Sequence, residues 1–186
     1  MSEYRTDLQN RRIGRFGEDP RAPAAHGFAL VWMYFHPTAR TESQFRYLGK
    51  QKIGDRDAYV VAFAQIPGLT RAPAEIRVGD TLFPMLYQGI AWIDESSFRI
   101  IRLRTDLLAP QPEAQLQKLT TTVDFAEVRV PHSKPRLWLP RKAVVEWETI
   151  PRSSLNLSPT VASYRCVERH SYSHYHLYQV EVKIGS

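Results

Sequence analysis

The chain has 186 residues, 43% of them hydrophobic and 11% aromatic, and a formal charge of +6. That composition excludes wholesale disorder and fits one domain, large enough to bury roughly 70% of the surface its unfolded form exposes. The single cysteine, Cys166, excludes an intrachain disulfide and a cysteine-based zinc site, and no stretch reaches the ~18 apolar residues of a membrane-spanning helix.

Residues 1–26 are polar, with Gly14, Gly17, Pro20 and Pro23, and read as a flexible N-terminal arm before a single β domain over residues 27–186. The longest apolar run follows, FALVWMYF from Phe28 to Phe35. Its length fits a buried strand or a short buried helix, and Pro37 ends it either way. Ser43 to Ile53 then alternates around Phe45 and Tyr47. After a turn at Gly54-Asp55-Arg56, Ala58 to Ile66 is rich in β-branched and aromatic residues, so the two read as a hairpin. Residues 67–80 read as a Pro/Gly loop. A second hairpin joins Met85–Asp94 to Phe98–Thr105 through Glu95-Ser96-Ser97. A proline-broken connection from Asp106 to Gln115 leads to the third, Leu116–Val130 with Leu137–Glu148, where Pro140 implies an edge or a bulge. Residues 149–160 form another Ser/Pro loop, and Val161 to Ile184 reads as a fourth hairpin.

Successive hairpins without a long helical pattern predict a mainly β fold. The expectation is an antiparallel meander of about 7–8 strands, curled into a half-barrel or incomplete barrel because so many strands twist and do not stay flat. One or two short helices complete it.

Charge is concentrated in one place. Arg129, Lys134, Arg136, Arg141 and Lys142 lie around a hairpin turn with one His and no acid between them. This is either an ordinary solvated loop or a contact for an anionic partner such as a membrane surface. Arg102 and Arg104 share a strand face, but no aromatic RNA-binding signature accompanies them, so nucleic acid is not an expected partner.

Near the C-terminus, His170, His174 and His176 have the same parity, and Glu168 shares it. His174 and His176 are close enough to share a metal with Glu168 as a third ligand. The segment YSHYHLY reads equally as an aromatic strand whose histidines pack or face water, and no metal or other cofactor is expected. Cys166 and His170, four residues apart on a strand, stand about 13 Å apart, too far for a nucleophile and its base. No P-loop, GxSxG or HExxH occurs, so no enzymatic activity is expected. The aromatics Phe63, Tyr87, Trp92 and Trp138 either fill the core or line an apolar groove in the concave face of a curved sheet.

Between Ser43 and Ile184 the segments FRYLGKQKIGDRDAYVVAFAQ and YQGIAWIDESSFRIIRLRTDLLAP, then TTVDFAEVRV and LWLPRKAVVEWE, resemble a group of uncharacterised bacterial proteins of acidobacterial type. Their strand order is similar to that of the lipoprotein-carrier (LolA/LolB-like) superfamily. The resemblance implies a curved sheet under a helical lid that holds a lipid or a lipidated protein by its acyl chain, in the periplasm or cell envelope. Those carriers enter the envelope behind a signal peptide. Residues 1–22 carry no such segment, so an upstream signal is expected, and a cytoplasmic location if the chain has its true start here. Two functions are therefore carried forward: a binding protein with an acyl groove, and a structural or protein-interaction domain with a packed sheet interior.

Overall fold

The computed structural model describes residues 5–6, 12–13, 28–71, 73–78, 80–130, 136–149, 164–173 and 175. Its strands are β1 (Arg5–Thr6), β2 (Arg12–Ile13), β3 (Ser43–Ile53), β4 (Arg56–Gln65), β5 (Ala74–Val78) and β6 (Thr81–Met85), then β7 (Tyr87–Asp94), β8 (Ile100–Leu107), β9 (Leu116–Val128), β10 (Leu137–Thr149) and β11 (Tyr164–Ser171). Seven of them form one antiparallel sheet in the order β11-β10-β9-β8-β7-β4-β3, so each strand pairs with the one before it in the chain, apart from the inserted β5–β6. The first three hairpins read from the sequence are all present. The second strand of the fourth lies outside the described residues, as does most of the N-terminal arm, of which β1 and β2 pair with one another.

The loop reading of residues 67–80 needs correction. Residues 74–78 and 81–85 pair as a separate hairpin, β5–β6, in which Pro84 stands opposite Glu75. A two-stranded sheet leaves each strand one unpaired edge, and there a proline is tolerated. Helix is confined, among the described residues, to the 3-10 segments Phe28–Phe35, Arg40–Glu42 and Pro112–Ala114. The apolar run at Phe28 is thus a helix and not a strand. Pro140 marks a bulge: the register of β10 to β9 shifts between Pro140 and Lys142, and the pairing of β10 with β11 begins at Lys142.

Side chains alternate across a strand, and directly paired residues share a face. One face of the sheet therefore carries Phe63, Tyr87, Ala91, Leu103, Leu107, Val123, Ala143, Val145 and Trp147, all buried in one cluster. Leu103, Val123 and Val145 are among the most completely buried side chains, each contributing about 1.5–3 kcal/mol. Three pieces cover this face: Val31, Tyr34 and Phe35 of the first 3-10 segment, Ile76 and Phe83 of the β5–β6 hairpin, and Tyr172. The opposite face is polar and laced with ion pairs, Arg102–Asp124 at 2.6 Å, Arg104–Asp106 at 3.0 Å and Arg165–Glu146 at 2.7 Å.

The interruption of the meander by β5–β6 leaves Tyr87 with no strand partner for its N–H. The buried Gln65 side chain supplies one, its Oε1 accepting that bond at 2.7 Å. This explains an amide inside an apolar cluster. In the sheet order β10 and β4 are four strand spacings apart, about 19 Å if the sheet were flat. Even so, the Arg56 guanidinium lies 5.5 Å from the centre of the Trp138 ring. The sheet curls at this end and stays open, with β3 and β11 as its two edges among the described residues.

Gly89 shows how tightly the covered face is filled. It pairs with Phe63, whose ring lies over it. A Cβ at position 89 would stand 2.0 Å from the Arg104 carbonyl oxygen and 2.8 Å from the Phe63 ring. The backbone oxygen belongs to the β7–β8 ladder and has nowhere to go. Gly89→Ala is expected to lower stability by about 1–3 kcal/mol or more, read as a fall in urea midpoint with an unchanged slope.

Candidate functional site

Phe63 and Tyr87 lie on the covered face, 3% and 7% exposed. Their cover comes from the 3-10 segment. Tyr34 stacks on Phe63 with ring centres 5.1 Å apart and tilts over Tyr87 at 6.3 Å. Phe35 meets Phe63 edge to face at 5.3 Å and Phe45 at 5.4 Å. Offset and edge-on geometries of this kind add about 0.5–1.5 kcal/mol per pair beyond area burial. Burial pushes the Tyr34 hydroxyl up to about 12 and the Tyr87 hydroxyl higher still, with Tyr34 adding to the latter. Both phenols therefore stay neutral at any physiological pH.

The cover is an unusual element. A 3-10 helix of eight residues is long for a geometry whose hydrogen bonds are poor and whose runs are commonly three or four residues. Past its end the chain continues in local turns, His36 N–H to the Met33 carbonyl and Ala39 N–H to the His36 carbonyl, both at 2.9 Å. Its Val31, Tyr34 and Phe35 side chains pack on the sheet, so the segment covers an aromatic floor.

The structure does not bring the four sequence-selected aromatics together. Trp92 faces the other way. It pairs with Val60 and Arg102 on the polar side, and its indole N–H donates to Gln51 Oε1 at 2.8 Å. The reason is the period of two: positions 87 and 92 of one strand have opposite parity. Trp138 sits at the far end of the sheet. Its indole N–H donates to the Ile100 carbonyl at 2.7 Å, and Arg56 and Arg99 each lie 5.5 Å from its ring centre. Phe45, which joins the floor, and Tyr34 and Phe35, which cover it, carried only the general signal of β3 alternation and of the apolar run.

The basic cluster also divides. Arg136 pairs with Glu127 at 3.1 Å. Arg141 occupies the β10 bulge and Lys142 stands opposite Asp124. Arg129 is exposed beside the turn, and Lys134 lies outside the described residues. Glu168 and His170 do share a face of β11, with Oε2 and Nε2 3.3 Å apart, while His174 and His176 lie outside the described residues. Among the described residues no group of three His, Cys, Asp or Glu side chains is placed to hold a metal ion.

The turn joining β7 to β8 is built on Asp94. Its Oδ1 accepts from both the N–H and the hydroxyl of Ser96 and of Ser97, at 2.6–3.1 Å, and Oδ2 accepts from Arg56 at 3.3 Å. Phe98 is thereby held at φ 54, a left-handed conformation unfavourable for a bulky residue, with 73% of its surface exposed. It stacks on Tyr59 at 6.2 Å.

The chain matches no protein-family model, no curated protein and no solved structure. Among the described residues no helix is long and apolar enough to cross a membrane.

The Ser96 and Ser97 hydroxyls, then the Ser97 N–H and Arg56, hold the Asp94 carboxyl well below the usual carboxylate range. A carboxyl depressed in the folded state stabilises the fold fully above its unfolded pKa of about 4, and the contribution is lost as pH falls towards the folded value. Asp94→Asn is expected to cost about 2 kcal/mol at neutral pH. In denaturant melts the gap to the native chain should narrow steadily as pH drops below about 4. A gap independent of pH would refute the assignment.

Proposed function

We propose that the chain is a non-enzymatic binding protein of the cell envelope. On this reading it holds the acyl chain of a lipid or of a lipidated protein between the aromatic floor and the 3-10 lid. The observation that supports this most directly is the lid itself. Tyr34 and Phe35 rest on Phe63, Tyr87 and Phe45 through ring contacts, on an element whose own hydrogen bonding is weak. An acyl chain sliding beneath them gains about 0.8 kcal/mol for each methylene removed from water. It replaces ring-to-ring contact by chain-to-ring contact, and no polar group of the sheet is left unpaired. The resemblance to the lipoprotein carriers, and with it the envelope location, points the same way.

A second reading rests on the same rings. The floor is already occupied by the chain's own Tyr34 and Phe35, as a packed interaction domain would have it.

Titration with a fluorescent twelve-carbon fatty acid separates the two. Under the carrier reading binding is saturable in the micromolar range and tightens in Tyr34→Ala, where the cover is reduced. Phe63→Asp abolishes it, and Trp92→Asp, on the opposite face, leaves it unchanged. Should neither the native chain nor Tyr34→Ala bind, while Tyr34→Ala merely loses stability, the lid is part of a packed core and the carrier reading fails.

A further inference from the structure

The β9–β10 pair outruns its neighbour. β8 pairs with β9 only from Arg102–Asp124 to Asp106–Thr120, whereas β9 and β10 stay paired out to Val128–Leu137. Where β8 stops, the overhang and the β3–β4 turn enclose an open cleft of about 410 Å3 lined by residues that include Ile53, Asp55, Arg56, Ile101, Phe125 and Trp138, a volume in the range of small-molecule sites. Asp124, Glu127, Arg141 and Lys142 complete its charged rim.

Two features of this cleft call for a ligand. The first is geometric. The cleft lies at the end of the β9–β10 ladder, and Arg141 and Lys142, adjacent at the register shift in β10, both line it. The bulge is pinned from behind: the Tyr175 hydroxyl donates to the Pro140 carbonyl and the Tyr172 N–H to that of Arg141.

The second is electrostatic. The cleft has as many acids as bases, but most are neutralised from outside it. Asp124 is held by Arg102 at 2.6 Å, Glu127 by Arg136 at 3.1 Å, and Arg56 by Asp94 at 3.3 Å. Among the described residues neither Arg141 nor Lys142 is ion-paired; Asp124 stands across the ladder from Lys142 but is held by Arg102, and Asp55 is the cleft acid with no described ion pair. The unopposed charge is therefore positive. It stands beside Trp138, which is fixed by its hydrogen bond to Ile100 and flanked by Arg56 and Arg99, with the largely buried Phe125 and Ile101 behind it.

We infer that this cleft binds a phosphate ester, its oxyanion held by Arg141 and Lys142 and its apolar body laid against Trp138 and Phe125. An arginine fork and a lysine point charge suit a tetrahedral oxyanion. The same chemistry belongs to a small soluble phosphate ester and to the headgroup of an anionic phospholipid. The assignment does not rest on the acyl-chain reading, because the cleft shares no residue with the lid or with Phe63 and Tyr87.

The test is calorimetric titration of the full chain at low salt with phenyl phosphate and with inorganic phosphate, beside co-sedimentation with phosphatidylglycerol or phosphatidylcholine vesicles. Phenyl phosphate should bind one to one, more tightly than inorganic phosphate, and weaken as salt screens the exposed cations. The double variant Arg141→Gln, Lys142→Gln should lose about tenfold or more in affinity with an unchanged thermal midpoint. Tyr34→Ala should bind phenyl phosphate like the native chain, so that failure of the lid reading leaves this result standing. Binding to phosphatidylglycerol vesicles alone, lost in the double variant, assigns the oxyanion to a lipid headgroup. Absence of both kinds of binding, or equal binding by the double variant, overturns the inference.

Discussion

A slip of one residue between β7 and β10 would turn Leu103, Val123 and Val145 outward and bring Arg102, Asp124 and Val144 into their place. Strand register is therefore the constraint on which every other feature depends, because the sheet buries only one face. Several devices hold it. Ala91, Leu103, Val123 and Ala143 follow one another across four strands as direct partners, so small and large side chains interleave along one row of the core. Gly89 gives way to the Phe63 ring on the next strand. On the solvent face Arg102 reaches Asp124 and Thr120 donates to Asp106 at 2.6 Å. Both contacts join β8 to β9 and would be lost in any other register.

Where the register is deliberately broken, the structure acquires its special geometry. Three hairpin turns, β3–β4, β7–β8 and β9–β10, lie at one end of the sheet, as the meander dictates. The ladders beside them shift at Tyr47/Gly49, Trp92/Ile93 and Pro140/Lys142. Each shift adds local twist, and together they curl the sheet until Arg56 of β4 reaches Trp138 of β10. Two adjacent cations, Arg141 and Lys142, stand at the Pro140/Lys142 shift and line the cleft. The Asp94 turn belongs to the same end and fixes Arg99 against the Trp138 ring. Curvature, cleft and charge thus share a cause in the placing of extra residues in otherwise regular strands.

Much of this could be read from the chain. Alternation and turn residues located the hairpins, because a half-buried strand writes its two faces into the sequence with period two. Pro140 implied an edge or a bulge, and a register shift lies beside it. Other features were illegible for identifiable reasons. The strands β5 and β6 are five residues each and carry Pro84, so their local signal was that of a loop, and only packing of Ile76 and Phe83 on the core makes them a hairpin. The run at Phe28 is apolar throughout, and periodicity alone does not separate helix from strand there. Trp92 is a different case. Its parity relative to Tyr87 already placed it on the far face, and its aromatic character outweighed that arithmetic. The neutralisation of Asp124, Glu127 and Arg56 by partners from neighbouring strands is wholly tertiary, so the net sign of the cleft had no trace in the sequence.

The two candidate sites stand at opposite ends of the same strands. Phe63 pairs with Gly89, while the cleft begins at Asp124, which lies level with Trp92 through Arg102, three residues and therefore about 10 Å further along β7. The stretch between them is filled by Ala91, Leu103 and Val123, which are almost wholly buried. A packed core of this kind transmits strain but holds no continuous channel. One ligand thus does not thread from lid to cleft through the interior, and the sites communicate only if lifting Tyr34 and Phe35 changes the curl of the sheet. Substitutions more than about 10 Å apart with no shared partner combine additively. Tyr34→Ala and the Arg141–Lys142 pair are expected to combine in this way as long as the curl is fixed by the bulges. If the lid instead holds the curl, the two sets of variants couple, and their combined effect departs from the sum. The distinction follows from which elements set the curvature, and the pinned bulge at Arg141 places that role at the turn end, remote from the lid.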